Sequence, residues 1–463
     1  MRRFRSLILA SLALLAACEL APRYERPTPA APPRWPEGAA YAAPQPGAAG
    51  LTWRALIGDP KLRSVIEMAL ANSQDLRAAV ANAASARAQY HVQRSQQLPA
   101  LGASASAFIT HGGHDSEEVL TNNYQLTAGL SNFEIDLFGR LRDQTRQSFE
   151  AYLATASGTR STRVMIVAET ATAYTTLAAD LDHLAISQQT VASAQRSLDL
   201  TETLFRSGLT PAGNVESAAT VLEQARSDAA AFTTGVAQDR NALERLVGAP
   251  VPDNLLPSGL AELDRSTAVA PTGISSAVLL DRPDVLEAEH QLKGANAGIG
   301  AARAAFFPAI NLTAGPGLAS TALSQLFTGG AFNWSVQPSV TAPLLGGSTQ
   351  CNLQYAMAQR AYDLALYEAA VQSAFREVAD GLARQGTIIG QRRAQERLVA
   401  SAAHAYALAE AQYRAGTDTF VNALVAQRTL YSVRQGQVGV VQADVSNRIS
   451  LYQALGADAS LAS

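Results

Sequence analysis

The chain has 463 residues with a formal net charge of −3 and only 16% charged residues, so it lacks the concentrated positive charge of nucleic-acid-binding proteins. Its two cysteines, Cys18 and Cys351, offer no basis for a disulfide framework or a thiolate metal site. After the N-terminal region, no segment is apolar over the roughly 18 residues that a membrane-spanning helix needs.

Residues 1–17 are predicted to be a signal peptide. Three arginines precede an apolar run at 7–15, which is too short for a permanent membrane helix. Small residues then precede Cys18, and this pattern resembles the lipobox of bacterial lipoproteins, in which the cysteine is lipidated and becomes the N-terminus. Glu19 follows instead of the aspartate that marks inner-membrane retention, so we expect an outer membrane anchor. An ordinary secretory signal with an incidental cysteine is the alternative.

Residues 18–58 are predicted to form an extended tether and part of a belt, because eight of the 20 prolines lie between positions 22 and 46 and proline-rich chains are extended. Prolines are then absent between Pro99 and Pro211 and after Pro343. Long helices can form in both regions.

Two similar halves are expected at 59–260 and 276–456. Pro99 and Pro308 occur in similar contexts, as do Gly208 and Gly416, at offsets of 308 − 99 = 209 and 416 − 208 = 208 residues. Such a register indicates a two-fold internal repeat.

Each half is predicted to contain a helix, two strands and a long helical hairpin. In the first half these are a helix at about 60–98, strands at about 100–110 and 123–137, and a hairpin tip at 206–210. In the second they are a helix at 283–307, strands at about 308–318 and 332–343, and a tip at 414–418. An equatorial segment at 249–275 separates the halves, and 457–463 is a C-terminal tail.

The predicted strands alternate apolar and polar residues, as in Phe332, Trp334 and Val336 against Asn333 and Ser335. Four such strands cannot close a barrel, and an open strand edge cannot lie in lipid. Three copies would supply twelve strands, an even number within the range of outer membrane barrels. Closure therefore predicts that the chain assembles, and three copies fit; the exact number rests on the family resemblance described next.

Several segments resemble the TolC-type outer membrane efflux protein family, in particular its OprM/NodT lipoprotein branch. They are residues 133–140 (FEIDLFGR), 280–285 (LDRPDV), 300–308 (GAARAAFFP) and 373–380 (SAFREVAD). The resemblance extends from about 51 to 456. It implies an α+β membrane protein: a trimeric 12-stranded transmembrane β-barrel with four strands per chain, continued by a periplasmic α-helical barrel with a mixed equatorial belt.

The same resemblance implies the outer membrane channel subunit of a tripartite efflux system, which passively conducts drugs or other small compounds and is not an enzyme. The implied partners are two further copies of the chain, a periplasmic adaptor, an inner-membrane RND-type pump and outer membrane lipid; no cofactor is implied. A duct for type I protein secretion is the alternative, and a structural coiled-coil lipoprotein is a more distant one.

The two hairpin tips are the predicted docking site. Gly208 and Gly416 permit the left-handed backbone that reverses a helix. The family resemblance implies that Gly208, Leu209, Gly416 and Thr417 also contact the adaptor.

A periplasmic gate is expected next to the second tip, at Tyr413, Asp418, Val421, Asn422 and Val425. Family members commonly carry aspartates at the positions of Asn422 and Val425. We therefore expect an apolar ring from Val421 and Val425, with weak cation selectivity, and Asp418 as the nearest carboxylate.

Other polar groups are given structural roles. His111, His114 and Asp115 are expected in an external hairpin loop without a metal. Glu134 and Asp136 flank a helix start, where a carboxylate caps backbone N–H groups. Glu377 is assigned to the polar face of a long helix.

Overall fold

The computed structural model describes residues 19–28, 31–41, 52–112, 119–344, 347–456 and 458. The predicted signal peptide, Cys18 as the predicted site of lipidation, and the predicted loop residues His114 and Asp115 lie outside these ranges. Among the helices described, none combines the length and apolarity required to cross a membrane.

The described residues form nine α-helices and four β-strands. In chain order they are α1 Trp53–Leu56, α2 Pro60–Asn72, α3 Gln74–Ser95, β1 Leu101–Gly112, β2 Val119–Glu134, α4 Arg140–Arg206, α5 Ala212–Val247, α6 Leu260–Ser266, α7 Pro283–Ala304, β3 Ala309–Ser320, β4 Phe332–Thr341, α8 Gly347–Arg414 and α9 Phe420–Leu455. The predicted combination of long helices with four strands is confirmed.

Two compact units make up the chain. The first contains Met1–Thr28, Ala81–Ala156 and Glu287–Glu368, and the second contains Pro29–Val80, Ser157–Leu286 and Ala369–Ser463. Each unit thus combines segments from both halves of the sequence repeat.

The first unit holds an antiparallel sheet in the order β1-β2-β3-β4. Its register places the predicted apolar residues of neighbouring strands side by side, as in Leu126 opposite Leu318 and Leu318 opposite Phe332. The polar residues share the other face, where the hydroxyls of Ser104 and Thr127 lie 2.8 Å apart. The sheet is therefore amphipathic across all four strands.

Glycine allows the central strands of this sheet to approach each other closely. A Cβ on Gly129 would lie 2.3 Å from the carbonyl oxygen of Ala314, and a Cβ on Gly315 would lie 2.2 Å from that of Ala128. The pairing register shifts just beyond this point, between Leu130 and Phe133. A side chain at either glycine would force the two backbones apart.

Helix α4 begins shortly after β2, and of the two carboxylates there Asp136 caps the helix as predicted, whereas Glu134 does not. Asp136 accepts a 2.9 Å hydrogen bond from the backbone N–H of Arg142 in the first turn. Glu134 pairs with Arg140, whose Nε lies 2.9 Å from Oε1. These contacts give Asp136 and Glu134 structural roles.

In the second unit, a hydrophobic core surrounds helix α1. Trp53, Tyr174 and Tyr452 are fully or almost fully buried there. The Asp458 carboxylate accepts 2.8 Å and 2.9 Å hydrogen bonds from the Trp53 backbone N–H and the Tyr452 hydroxyl. The C-terminal end of the described chain is thereby fixed to the first helix.

The helix expected over about 60–98 is two helices, which corrects the sequence-based assignment. Ser73 ends α2, where its N–H donates to Ala69 O, and its hydroxyl accepts a 3.3 Å bond from the N–H of Leu76 in α3. A serine side chain that satisfies an otherwise free N–H is a helix start signal. The break therefore follows from local capping.

Candidate functional site

The first hairpin tip is a left-handed glycine turn. Gly208 has φ +70°, its N–H donates 2.9 Å to Phe205 O, and the N–H of Leu209 donates 2.9 Å to Leu204 O. This pair of bonds is the Schellman arrangement that closes a helix C-terminus. Because no neighbouring atom lies within 4 Å of a Cβ built on Gly208, backbone conformation is the reason for glycine here.

The second tip repeats this geometry. Gly416 has φ +72°, and the N–H groups of Gly416 and Thr417 each donate 3.0 Å bonds, to Tyr413 O and Gln412 O. The Thr417 hydroxyl adds a 3.1 Å bond to Gln412 O. Two turns that are 208 residues apart thus use the same hydrogen bonds.

Both tips expose the residue that follows the glycine. Leu209 is 75% exposed, which is unusual for a leucine in a fixed turn, and Thr417 is also exposed. Each turn therefore presents a side chain outward from a rigid backbone. This is the arrangement that a docking surface requires.

The residues predicted for the gate form two groups around the start of α9. Asn422 donates a 2.7 Å hydrogen bond to the Asp418 carboxylate, as Asn214 does to the hydroxyl of Thr210 in the first half. Val421 and Val425 lie one turn apart and are 51% and 56% exposed. The Asp418 carboxylate is thus occupied by local hydrogen bonds while the two valines face outward.

Tyr413 joins a small apolar cluster at the base of the tips. Its ring lies 5.2 Å from that of Phe420, and the cluster also contains Ala194, Leu222 and Leu424. The buried Tyr413 hydroxyl has no hydrogen-bond partner among the described residues. Contact between the first and second hairpins at this level is thus apolar.

A polar ladder connects α9 to α4 farther from the tips. Gln427 Nε2 donates a 3.2 Å hydrogen bond to the Ser193 hydroxyl, and the hydroxyls of Tyr431 and Ser187 lie 3.0 Å apart. Tyr431 also donates 2.7 Å to Asp228 of α5. The sequence shows these residues only as polar positions on separate helices, so the ladder was not predicted.

Buried Arg448 and partly buried Arg392 form a cluster with two aspartates, which the sequence analysis missed. Both Arg392 of α8 and Arg448 of α9 contact Asp264 of α6 and Asp444 of α9; Arg392 lies 2.6 Å from Asp264 and Arg448 lies 2.6 Å from Asp444. Burial raises the pKa of the Asp264 carboxyl, but hydrogen bonds and positive charge from the arginines outweigh it, so the pKa is lowered. This arginine–aspartate cluster fastens the belt helix α6 to the long helices.

A further ion pair involves Glu377. Its side chain is 41% exposed, as expected for the polar face of a long helix, and its carboxylate also lies 2.9 Å from Arg282, whose side chain is only 7% exposed. Arg282 also binds Asp284 and donates to Ala454 O near the end of α9. Two of the sequence blocks that carry the family resemblance, at 280–285 and 373–380, therefore meet in space.

No group of three or more potential metal ligands occurs among the described residues. The described part of the chain thus gives no structural basis for a metal centre.

Comparison with known proteins agrees with this architecture. The family model "Outer membrane efflux protein" matches residues 65–249 and 274–457. The chain is 39% identical over 451 residues to the probable efflux pump outer membrane protein TtgC of Pseudomonas putida, covering 96% of this chain and 93% of that protein. It is 36% identical over 454 residues to the outer membrane protein OprJ of Pseudomonas aeruginosa, covering 96% and 93%.

Solved structures show the same fold. CusC superposes with a TM-score of 0.86 at 34% identity, covering 95% of this chain and 100% of that one. The open-state MtrE outer membrane channel of Neisseria gonorrhoeae gives 0.84 at 31% identity, covering 95% and 98%. The architecture is that of outer membrane channel proteins. The chain belongs to the outer membrane efflux protein family.

Proposed function

We propose that this chain is one subunit of a homotrimeric outer membrane channel that passively conducts drugs or other small compounds as part of a tripartite efflux system, and that it is not an enzyme. The observation that supports this most is the amphipathic sheet. Strands β1 and β4 each pair with one neighbour among the described residues, and the apolar side chains of β4 are exposed, Trp334 at 72% and Val336 at 58%.

Such a sheet has one stable environment. Its apolar face requires lipid, and its two edges require strand partners, because unpaired backbone groups are costly in hydrocarbon. Joining β1 of one copy to β4 of the next satisfies both requirements, and three copies give twelve strands. The polar face, with Ser104 and Thr127, then lines an aqueous lumen.

The exposed tip residues are the proposed contact with a periplasmic adaptor, which links the channel to an inner-membrane RND-type pump. Leu209→Glu keeps Gly208 and both turn hydrogen bonds, so trimers are expected to form normally while docking is lost. Leu209→Met retains the apolar bulk and serves as the control. Full efflux by Leu209→Glu trimers would refute the docking role.

The proposed gate is an apolar constriction at Val421 and Val425, with Asn422 and Asp418 bonded to each other. The exposed valines, one turn apart on α9, support this proposal. Three copies would place six valine side chains around the entrance, where an apolar constriction opposes hydration. Weak cation selectivity follows because Asn422 and Val425 carry no charge, which leaves Asp418, nearer the tip, as the closest carboxylate among the described residues of this segment.

The proposed anchor is lipid on Cys18, which would place the channel in the outer membrane with a large periplasmic portion. A single acyl chain holds a protein only marginally, so several chains on one residue are expected.

Complementation tests the proposed function directly. The chain is expressed in a host that lacks its own efflux channel but contains a cognate adaptor and RND pump, and the minimal inhibitory concentrations of pump substrates are measured. Restored resistance that requires adaptor, pump and channel together is expected. Resistance that is unchanged although the chain reaches the outer membrane would refute the proposal.

A further inference from the structure

A cavity lies in the second unit, between a proline-rich segment near the N-terminus and the long helices. Its volume is about 530 Å³, within the roughly 300–1,000 Å³ of small-molecule sites. Residues 33–41 form one wall, residues 270–276 after α6 form a second, and side chains of α8 and α9 form the floor. All of these residues belong to the same unit. The space is called the belt cavity below.

Hydrogen bonds hold the two walls of the belt cavity together. The indole Nε1 of Trp35 donates 2.6 Å to the carbonyl of Ile274, and the Ser276 hydroxyl donates 2.7 Å to that of Pro33. The Trp35 ring also stacks on Phe375 of α8, with ring centroids 5.0 Å apart. The proline-rich segment is therefore fixed to both the belt and the helix, and the cavity is preformed.

The floor of the belt cavity is apolar and closely packed. Val378 and Leu451 are each only 1% exposed, and Leu382 is half-buried. A Cβ on Gly381 would lie 2.5 Å from Cδ2 of Leu451, so close contact between α8 and α9 fixes the position of this leucine. Water in such a space finds few hydrogen-bond partners, and its displacement by an apolar ligand is favourable.

Three polar side chains at the belt cavity form no hydrogen bond or ion pair with any described residue. They belong to Arg34 and Glu37, which are exposed, and to Tyr41, which is half-buried. Gly38 has φ +146°, and its carbonyl accepts a 3.0 Å hydrogen bond from the N–H of Tyr41, so a glycine turn positions the tyrosine. The charges of Arg34 and Glu37 are opposite, so these two residues together favour neither cations nor anions.

The size of the belt cavity distinguishes a small molecule from a protein partner. One turn of a helix about 10 Å across and 5.4 Å in pitch occupies roughly 420 Å³. A partner helix would therefore place little more than one turn in the cavity, whereas a drug-sized molecule would be largely enclosed.

We propose that the belt cavity binds a lipophilic small molecule, which has an apolar body with at least one ring and carries one polar group. The apolar body contacts Val378, Leu382 and Leu451. The rings of Trp35 and Tyr41 in the wall favour a ligand that itself contains a ring, and its polar group bonds to the unpaired side chains. Binding at this site does not depend on which compound the channel conducts.

Photolabelling of the full-length protein in lipid nanodiscs tests the site. The probe is iodophenyl trifluoromethyl diazirine, a small apolar aromatic compound, and the competitor is N-phenylnaphthylamine. Labelling within residues 33–41 or 270–276 is expected to saturate and to fall when the competitor is added. The strands of the proposed barrel are expected to take up the probe from lipid without saturation.

A cavity-filling variant and its matched control locate the binding. Leu382→Trp places an indole in the belt cavity and is expected to abolish saturable labelling. Leu398→Trp adds the same group to α8 at a position that is 48% exposed and outside the cavity, so labelling should be unchanged. Tyr41→Ala removes a ring from the wall without adding bulk, and it provides the same test if Leu382→Trp misfolds.

Three results would overturn the proposed site. The first is labelling confined to the strands, which would mean that another segment or copy of the chain fills the belt cavity. The second is labelling of the belt that neither saturates nor responds to the competitor. The third is saturable labelling that persists in both Leu382→Trp and Tyr41→Ala. None of these results depends on whether the protein conducts, so they are distinguishable from a failure of the proposed channel function.

Discussion

Removing Asp264 from the arginine–aspartate cluster is expected to loosen the belt helix α6. Asp264 accepts from Arg392 at 2.7 Å and 2.6 Å and from Arg448 at 3.1 Å, and the side chains of these arginines are only 21% and 10% exposed. Breaking a buried ion pair costs about 3–5 kcal/mol. Because Asp444 still binds both arginines, we expect Asp264→Ala to cost about 3 kcal/mol, the lower end of that range.

Hydrogen exchange measures the loss of stability at α6 itself. A local measurement is needed because the unfolding of a large assembly is not two-state, so that no single free energy of unfolding is defined. The amides of Gly58, Thr267 and Ala268 are bonded to Ser266 O, Leu263 O and Leu56 O at 2.8 Å each, so they report on α6. A loss of about 3 kcal/mol corresponds to roughly 100-fold faster exchange.

The matched control for Asp264→Ala lies in the same belt. Asp253 pairs with Arg240 at 2.7 Å but is 82% exposed, and exposed pairs contribute little. Asp253→Ala should therefore leave exchange nearly unchanged. Equal exchange rates in Asp264→Ala and the parent would refute the assignment of a structural role to the cluster.

Three further outcomes are expected. The pKa of Asp264 is lowered in the folded protein, so its contribution to stability is fully present above the ordinary carboxyl pKa of 3.8 and is lost as the pH falls through the lower folded pKa. Exchange at α6, after correction for intrinsic rates, should therefore be constant from pH 7 to about 5 and accelerate only below about 4. Gly416→Val forces a branched side chain to φ +72° and should cost at least about 1–2 kcal/mol at the turn, with adaptor binding, measured by surface plasmon resonance, lost while trimers persist. Val425→Asp should raise the cation-to-anion permeability ratio in bilayer recordings, whereas Val425→Asn should not; equal ratios in the two variants would contradict the apolar gate.

The strands and tips could be predicted from the sequence because their signals are local. Alternation of Phe332, Trp334 and Val336 with polar residues reports on one strand, and a single glycine at 208 or 416 determines each turn. Alternation also restricts the register between strands, since a slip of one residue turns all side chains of a strand to the other face; the register shift between Leu130 and Phe133 has no such signal.

The clusters could not be predicted because they join residues that are distant in sequence. Asp264 and Arg392 are 128 positions apart, and the ion pair of Arg26 with Glu289 joins residues 263 positions apart. Each of these residues alone resembles an ordinary solvated charge. The packing of residues 19–28 on α7 likewise depends on Gly300, where a Cβ would lie 2.7 Å from the Ala21 Cβ and whose small size has no local signature within an alanine-rich helix.

The central claim is that three copies of this chain close a single membrane channel. Native mass spectrometry of the full-length protein released from lipid nanodiscs, with conductance recorded from the same preparation in planar bilayers, tests it most directly. Particles of three chains, each with one conducting pore, are expected. Stable monomers or dimers would contradict a channel of three chains. So would trimers that insert into the bilayer but do not conduct at any voltage, even when substitutions open the tips.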